Sequence, residues 1–343
     1  MGSVEFLYID QEAVLAAGVL DMPRAMKVIE KAQSRFANGE VREPPKMVLR
    51  NADTAESEVQ GRFNGLAASI GVPVRSAIGM KWIASFPANR RLGKPRASAL
   101  IILNCPQTGV PLAVVEGGLI SAMRTGAMTG LGARYLAPKH TRKIGIVGAG
   151  LQSRTQILGL FTELPDVAEI ALFGRQISNA EAVVDDCRRR WAAPIRAAQT
   201  IEDAFRGADV ALTVTTAQEP LMLAQHIKPG ALTIQMAGHE CEFAVIQQCH
   251  KIVADDWETV KQRGIMTPAI MHQRGLLHDE DVQANLGELI LGIKTGRESD
   301  ERIHFCHMGM GVDDVALAWA VYETARERNL GVTLPLWKEP LWV

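Results

Sequence analysis

Residues 144–156, Ile-Gly-Ile-Val-Gly-Ala-Gly-Leu-Gln-Ser-Arg-Thr-Gln, constrain the fold of this chain more than any other stretch. An apolar run from Ile144 to Val147 ends in Gly148-Ala149-Gly150. A helical pattern then opens, with Ile157, Leu158, Leu160, Phe161 and Leu164 on one face. This is the sequence form of a strand, a tight glycine turn and a helix N-terminus, where backbone N–H groups can approach a pyrophosphate. A Gly-x-Gly pair alone is common, and its place between strand and helix gives it weight. Gly148, Gly150 and the first helical residues Leu151 and Gln152 are therefore candidate cofactor contacts. Ser153 stands where the third small residue of the fingerprint falls, suited to helix–strand packing or to a phosphate hydrogen bond.

The surrounding pattern agrees with that reading. Apolar runs at Ile144–Val147, Glu169–Phe173, Asp209–Val214, Leu232–Met236 and Lys251–Ala254 alternate with helical stretches, which argues for a parallel sheet covered on both faces. Upstream the texture differs. Residues 10–39 read as helical, with Gly39 as a stop. Residues 45–125 hold short apolar runs (Val48-Leu49, Ala77-Ile78, Lys81–Ile83, Ala99–Leu103, Ala113–Val115) separated by Pro, Gly and Asn, a strand-and-hairpin pattern. A helix begins near residue 118 and is closed by Pro138, and another precedes the apolar tail Leu334–Trp337. The expected fold is α/β: a Rossmann dinucleotide-binding domain over 126–314 and a β-rich α+β domain over 1–125 plus 315–343, to which the tail returns.

The chain has 343 residues, 47% hydrophobic and 22% charged, with a formal net charge of -1. That length supports two domains. The near-neutral balance offers no charge excess for nucleic acid or an anionic membrane. No 18-residue apolar stretch and no signal-peptide pattern occur, so a cytoplasmic protein is expected. The five cysteines, Cys105, Cys187, Cys241, Cys249 and Cys306, are odd in number and lack a Cys-x-x-Cys pair, and they read as reduced thiols. His304, Cys306 and His307 are close in sequence but have no distant partners at ligand spacing, so no metal is expected there. They read instead as a loop or strand end beside a ligand cleft.

The end of the second Rossmann strand decides the ribose. A carboxylate there would accept from the 2′-hydroxyl of NAD. This chain has Phe173-Gly174-Arg175, and a guanidinium suits a 2′-phosphate. The expected cofactor is NADP, with NAD as the alternative and a solvated Arg175 as the plain reading. Thr213, Thr215 and Thr216 end the next strand at the ligand edge. Thr215 is a candidate cofactor contact, set against simple β-propensity.

Several segments resemble the ornithine cyclodeaminase/mu-crystallin family: Gly79-Met-Lys81-Trp, Arg96–Asn104, Ser121-Ala-Met-Arg124-Thr125-Gly-Ala127, Gly148–Ser153 and Met308-Gly309-Met-Gly-Val-Asp-Asp314. The likeness covers nearly the whole chain. Ile78–Ile83, Met308–Met310, Asp255–Trp257 and Gly331–Leu336 resemble the branch that forms 2,3-diaminopropionate from N-(2-amino-2-carboxyethyl)-L-glutamate. The resemblance implies a homodimer formed through the β-rich domain, with substrate between that domain and the Rossmann domain. It implies oxidation of a Cα–N bond, or reduction of the matching imine. Lys81 falls on the family's active-site lysine, Arg124 on the arginine that holds the substrate carboxylate, and Thr125 beside it on a cofactor contact. Met308 and Gly309 fall on the cofactor loop, and Arg50 on a second carboxylate-binding arginine.

One position departs from the cyclodeaminase pattern. Where those enzymes place a catalytic Asp, ungapped reading puts Glu240, and a shift of one residue puts His239. Either could serve as the acid/base, and proline-forming cyclisation is put in doubt. The expected activity is hydride removal from an N-substituted amino acid followed by hydrolysis to amine and 2-oxo acid. A substrate with several carboxylates would call for further cations, with Arg91, Lys94 and Arg96 as candidates. The alternatives are an NADPH-dependent imine or ketimine reductase, a cyclodeaminase-like enzyme, or a non-catalytic NADPH binder like mu-crystallin.

Overall fold

A computed structural model describes residues 2–50, 61–71 and 77–342. The chain forms two compact units, Met1–Arg124 with Met310–Val343, and Thr125–Gly309. The first crossing falls one residue before the expected boundary. The second falls at Met310 rather than 315, so the Asp313-Asp314 pair belongs to the first unit.

Unit 1 is built on an eight-stranded sheet. β1 (Val4–Ile9) leads into two helices, α1 (Gln11–Ala16) and α2 (Met22–Ala37). The Asp10 and Asp21 side chains cap them by accepting from Ala13 and Arg24 N–H at 2.9 and 3.0 Å. There follow β2 (Val41–Arg42), β3 (Met47–Arg50), β4 (Arg62–Ile70), β5 (Ala77–Ser85), β6 (Ala97–Asn104) and β7 (Pro111–Glu116). The C-terminal strand Val332–Trp337 pairs antiparallel with β1 at the sheet edge, where the apolar tail was expected to return. From that edge the order is β1, β7, β6, β5, β4, β2, with β3 also on β4, and only the β1–β7 pair is parallel. One face packs against α2 and the helix Gly311–Glu327. Ile9, Met22, Met26, Ile29, Ile101 and Leu103 are buried in this unit's core. Strand β1 was not anticipated, and β4 lies within the stretch 45–125 read as strands and hairpins but is not one of its apolar runs. The apolar signal of Arg62-Phe-Asn-Gly-Leu-Ala-Ala-Ser-Ile70 is diluted by small and polar residues, and tertiary pairing rather than propensity makes it a central strand.

Helix α3 (Gly117–Leu136) carries the chain from unit 1 into unit 2. Unit 2 then runs through β8 (Lys143–Val147), α4 (Leu151–Glu163), β9 (Glu169–Phe173), α5 (Ile177–Trp191), β10 (Ile195–Ala197), β11 (Val210–Thr213), β12 (Leu232–Gln235), β13 (Lys251–Ala254), β14 (Ala284–Asn285) and β15 (Ile303–Cys306). The sheet order is β10-β9-β8-β11-β12-β15-β13-β14, every pair parallel. This is the doubly wound Rossmann arrangement, and its order reverses between β8 and β11, where such sheets bind ligands. Of the two readings of the His304–His307 stretch, loop or strand end, the structure has the second: His304 lies in the internal strand β15, Cys306 ends it and His307 follows, with His304 and Cys306 both fully buried. The Thr233 hydroxyl sits 2.9 Å from His304 Nδ1, and the Thr129 hydroxyl 2.8 Å from His307 Nε2. Burial drives the His304 imidazole down to about 3, so it is a neutral core residue. Among the described residues no group of three or more His, Cys, Asp or Glu is placed to hold a metal.

Candidate active site

The glycine turn between β8 and α4 is made largely of backbone. Gly148, directly after β8, has φ +123, and a Cβ there would lie 2.5 Å from the Val214 carbonyl oxygen at the end of β11. Only glycine fits this conformation and this approach. Gly150 is the N-cap of α4 in extended conformation, without a side-chain capping bond. The N–H groups of the helix's first turn are thus left to an external acceptor. Leu151 is exposed, and Gln152 is half-buried with Oε1 lacking a hydrogen-bond partner. An open helix N-terminus at the sheet's switch point, cleared of side chains by glycine, fits a dinucleotide pyrophosphate. Ser153 takes the packing role: it is fully buried, and its hydroxyl donates to the Gly150 carbonyl at 2.7 Å.

Beyond β9, a Cβ on Gly174 would lie 2.8 Å from Ala149 Cβ, so this position packs against the glycine turn and carries no acid. Arg175 follows and is exposed. Beyond β11, Thr215 meets Glu240. Its N–H and hydroxyl both donate to Glu240 Oε1, at 2.7 and 2.5 Å, and the hydroxyl accepts from Ala217 N–H at 3.0 Å. Glu240 is fully buried, and its Oε2 has no hydrogen-bond partner. Burial raises its carboxyl, and the Thr215 bonds pull it back down. His239 is half-buried, its ring 5.4 Å from Phe243 and its Nε2 without a partner. Met308 and Gly309 spend their N–H groups inside the protein: both donate to Asp255 Oδ2 at 2.8 Å. Asp255, which sequence reading assigned no site role, thereby fixes that loop. Burial pushes its carboxyl up to about 6 despite those bonds.

The second cluster lies wholly in unit 1. Lys81 of β5 and Arg124 of α3 both reach Asp314, near the start of the helix Gly311–Glu327. Lys81 Nζ donates to Asp314 Oδ2 and, at 3.2 Å, to the Ser121 hydroxyl, while Arg124 Nε donates to Asp314 Oδ1 at 3.0 Å. Lys81 is 1% exposed and Asp314 fully buried, and Arg124 Nη1 is buried without a partner. Burial lowers the Lys81 ammonium to about 8, with Asp314 pulling it up and Arg124 pushing it down. Neighbouring Asp313 accepts from Gln33 Nε2 at 2.7 Å. Burial pushes its carboxyl up to about 7, against the pull of Arg124. Glu43 accepts from Gly311 and Val312 N–H at 2.6 and 2.9 Å and so caps the helix that carries both acids. Asp314 is the residue that sequence reading missed, although the Asp-Asp pair stood inside a motif it had marked.

Of the remaining candidates, Arg50 ends β3 and is exposed, Arg96 is half-buried just before β6, and Arg91 and Lys94 are exposed in the turn between β5 and β6. Thr125 is buried and follows Arg124 in the same helix, with the unit boundary between them.

The chain is 34% identical to the alanine dehydrogenase of Archaeoglobus fulgidus over 334 residues, 96% of this chain and 98% of that protein. It is 28% identical to the N-((2S)-2-amino-2-carboxyethyl)-L-glutamate dehydrogenase of Staphylococcus aureus, covering 97% of this chain and 99% of that one. The solved structure of Thermococcus litoralis Delta(1)-pyrroline-2-carboxylate reductase, in complex with NADH and L-proline, superposes with a TM-score of 0.87 at 26% identity, covering 95% and 99%. The family model for ornithine cyclodeaminase and mu-crystallin matches residues 11–329, and the chain belongs to that family.

Proposed function

We propose that this protein is an NADP(H)-dependent oxidoreductase acting on the Cα–N bond of an amino acid. The substrate we favour is an N-substituted amino acid of the N-(2-amino-2-carboxyethyl)-L-glutamate type. The observation that carries the reading is the buried Lys81–Asp314–Arg124 cluster. Two cations share one carboxylate, and the surplus positive charge, with Arg124 Nη1 still unpartnered, suits one substrate carboxylate. Asp314 holds the two cations in register, so the ligand meets a prearranged fork. Gly148, Gly150 and the first turn of α4 would hold the cofactor's pyrophosphate, and Arg175, with no acid at 174, favours a 2′-phosphate. The cofactor supplies the acceptor for the Cα hydride. The substrate is left as an iminium, and water adds to its carbon. The adduct then collapses to 2-oxo acid and free amine. Glu240 Oε2 or His239 Nε2, each buried and unpartnered, would take the proton from that water. The Staphylococcus aureus relative supports the substrate type. The Thermococcus litoralis structure favours a second reading, the same chemistry run as imine reduction.

The assembly we read is a homodimer. Strand register puts Tyr8, Val114, Ile102 and Met80 on the sheet face opposite α2, together with Leu100, Trp82 and Met47. Leu100 and Met47 are 46% and 51% exposed, an apolar surface suited to a second copy. Five free cysteines agree with a reducing, cytoplasmic setting, and no helix among the described residues is long and apolar enough to cross a membrane.

The test is absorbance at 340 nm with NADP or NAD and a panel of amino acids that includes the carboxyalkyl glutamate adduct, alanine and ornithine. Reduction with the adduct and NADP is the expected result. NADPH oxidation with cyclic imines alone would replace the dehydrogenase by a reductase. Silence in both directions would overturn the oxidoreductase reading.

A further inference from the structure

Arg50, Arg62 and Arg96 gather at one end of the unit-1 sheet. Arg50 on β3 and Arg62 on β4 are direct cross-strand partners. Like charges so placed destabilise a sheet. Arg62 also opposes Ser85 at the end of β5, and the next residue, Phe86, donates its N–H to the Arg96 carbonyl at 2.8 Å. Arg96 is thereby brought to the same corner. Arg62 and Arg96 are half-buried, and Arg96 Nε is buried without a hydrogen-bond partner. Among the described residues no carboxylate forms an ion pair with any of the three. Other half-buried arginines of this chain do have such partners: Arg196 holds Asp203 and Glu169, and Arg154 holds Asp186. Arg90, in the turn Pro87–Leu92, adds a fourth cation nearby. Burial holds Arg62 and Arg96 below the usual guanidinium range. Arg50 adds to this for Arg62, and Arg62 and Arg90 add to it for Arg96.

We propose that Arg62 and Arg96, with Arg50 opposite, form an anion subsite for a second, distal carboxylate, so that the substrate is a dicarboxylic amino or 2-oxo acid. The inference rests on the reading above, in which Lys81 and Arg124 take the first carboxylate. Its geometry follows from register. Lys81 opposes Leu66, and Arg62 stands four residues from Leu66 on the same face, about 13 Å along the strand. Long arginine and lysine side chains shorten that gap, but an acid as small as alanine or proline does not bridge it. An acid of glutamate length or longer, such as a glutamate carrying an N-carboxyalkyl arm, has the second carboxylate to offer. A guanidinium pair suits it because each fork can take a carboxylate edge-on.

The test is isothermal titration of the full-length protein, saturated with NADPH and free of amine, with two probes that share a 2-oxo-acid head: 2-oxoglutarate and pyruvate. We expect 2-oxoglutarate to bind at least about tenfold tighter than pyruvate, and Arg62→Gln or Arg96→Gln each to remove about that factor. Arg62→Lys should keep part of the preference. Equal affinity for the two acids, or a preference that survives both Gln variants, overturns the subsite. If Arg62→Gln does not fold, Arg62→Lys and Arg96→Gln decide the matter. The 340 nm assay separates the two proposals. A diacid preference lost in the variants, in a protein that turns nothing over, leaves the subsite standing and removes the oxidoreductase reading. Turnover without diacid preference does the reverse.

Discussion

The glycine turn of unit 2, proposed to hold the nucleotide, and the cationic cluster of unit 1 are built from different materials. The turn is backbone. Its donors are peptide N–H groups, and its key residues matter for the side chains they lack, with Gly148 at φ +123 and Gly174 against Ala149. The cluster is side chains, in which Lys81, Arg124 and Asp314 come from a strand and two helices and meet in a nearly dry interior. A backbone site is sensitive to added atoms and tolerant of lost functional groups. A side-chain site of buried charges is the opposite, because removing one partner strands another in low dielectric.

The sharpest way to break that contrast is Lys81→Met, which keeps side-chain bulk and deletes the charge. Losing one member of a buried ion pair costs roughly 3–5 kcal/mol. If the substrate carboxylate relies on Lys81, kcat/KM should fall about a thousandfold, some 4 kcal/mol of transition-state binding. NADPH affinity, measured by fluorescence titration, should stay within about twofold, since no contact of Lys81 lies in the nucleotide turn. A loss under tenfold would mean that Arg124 alone carries the carboxylate.

The converse test adds one methyl group. Gly148→Ala places a Cβ 2.5 Å from a carbonyl oxygen at a φ that L-residues avoid. Strain of that kind costs roughly 1–3 kcal/mol, so NADPH affinity should fall about ten- to hundredfold. Ser153→Ala, which only deletes a hydroxyl bonded to the Gly150 carbonyl, should cost about 1 kcal/mol or less. If Ser153→Ala weakened NADPH as much as Gly148→Ala does, the serine would be a phosphate ligand after all and the turn would not be a backbone site.

The same division explains what could be read from the sequence. Gly148 and Gly150 announce themselves because a strand, a turn and a helix follow one another within the contiguous stretch 143–163, and local pattern carries the geometry. The five apolar runs of unit 2 became strands for the same reason. β15 was not among the apolar runs because Arg302-Ile-His-Phe-Cys-His307 sets one histidine inside the strand and another just past its end, and their burial is made acceptable only by the distant hydroxyls of Thr233 and Thr129. Lys81 and Arg124 were singled out through resemblance, not spacing. Nothing within ten residues of Lys81 announces Asp314, 233 positions away, because the pairing is created by the packing of the last long helix on the sheet. Arg62 was missed for a related reason. Its significance is its register against Arg50, and register does not exist until β3 and β4 pair. Met308 and Gly309 lay in a recognised motif, yet their N–H groups turn inward to Asp255. Motif position located that loop without saying which way its donors face.

The smallest of the expected effects is a pH dependence, and it sharpens the comparison because only the side-chain site should show it. Burial lowers Lys81 to about 8, from 10.5. In the folded protein the ammonium is present below about 8 and is lost as pH rises through that value. As far as Lys81 sets it, affinity for a carboxylate substrate should be level below pH 8. Above it KM should rise, by about tenfold one unit higher. The unfolded chain keeps that proton up to 10.5, so between 8 and 10.5 it binds more protons than the native state. This lysine's contribution to stability therefore increases with pH in that window while substrate affinity decreases. The two opposed slopes come from one group, which gives the check its power. In Lys81→Arg the charge persists at every accessible pH, so whatever activity remains should lose the KM limb near 8. A limb that persists in Lys81→Arg would have to come from elsewhere. Asp313 is the nearest other candidate, being held at about 7 beside Arg124, Asp314 and Glu43. Its ionisation would add negative charge to the cluster from pH 7 upward, and Asp313→Asn would then remove the limb that Lys81→Arg had left in place.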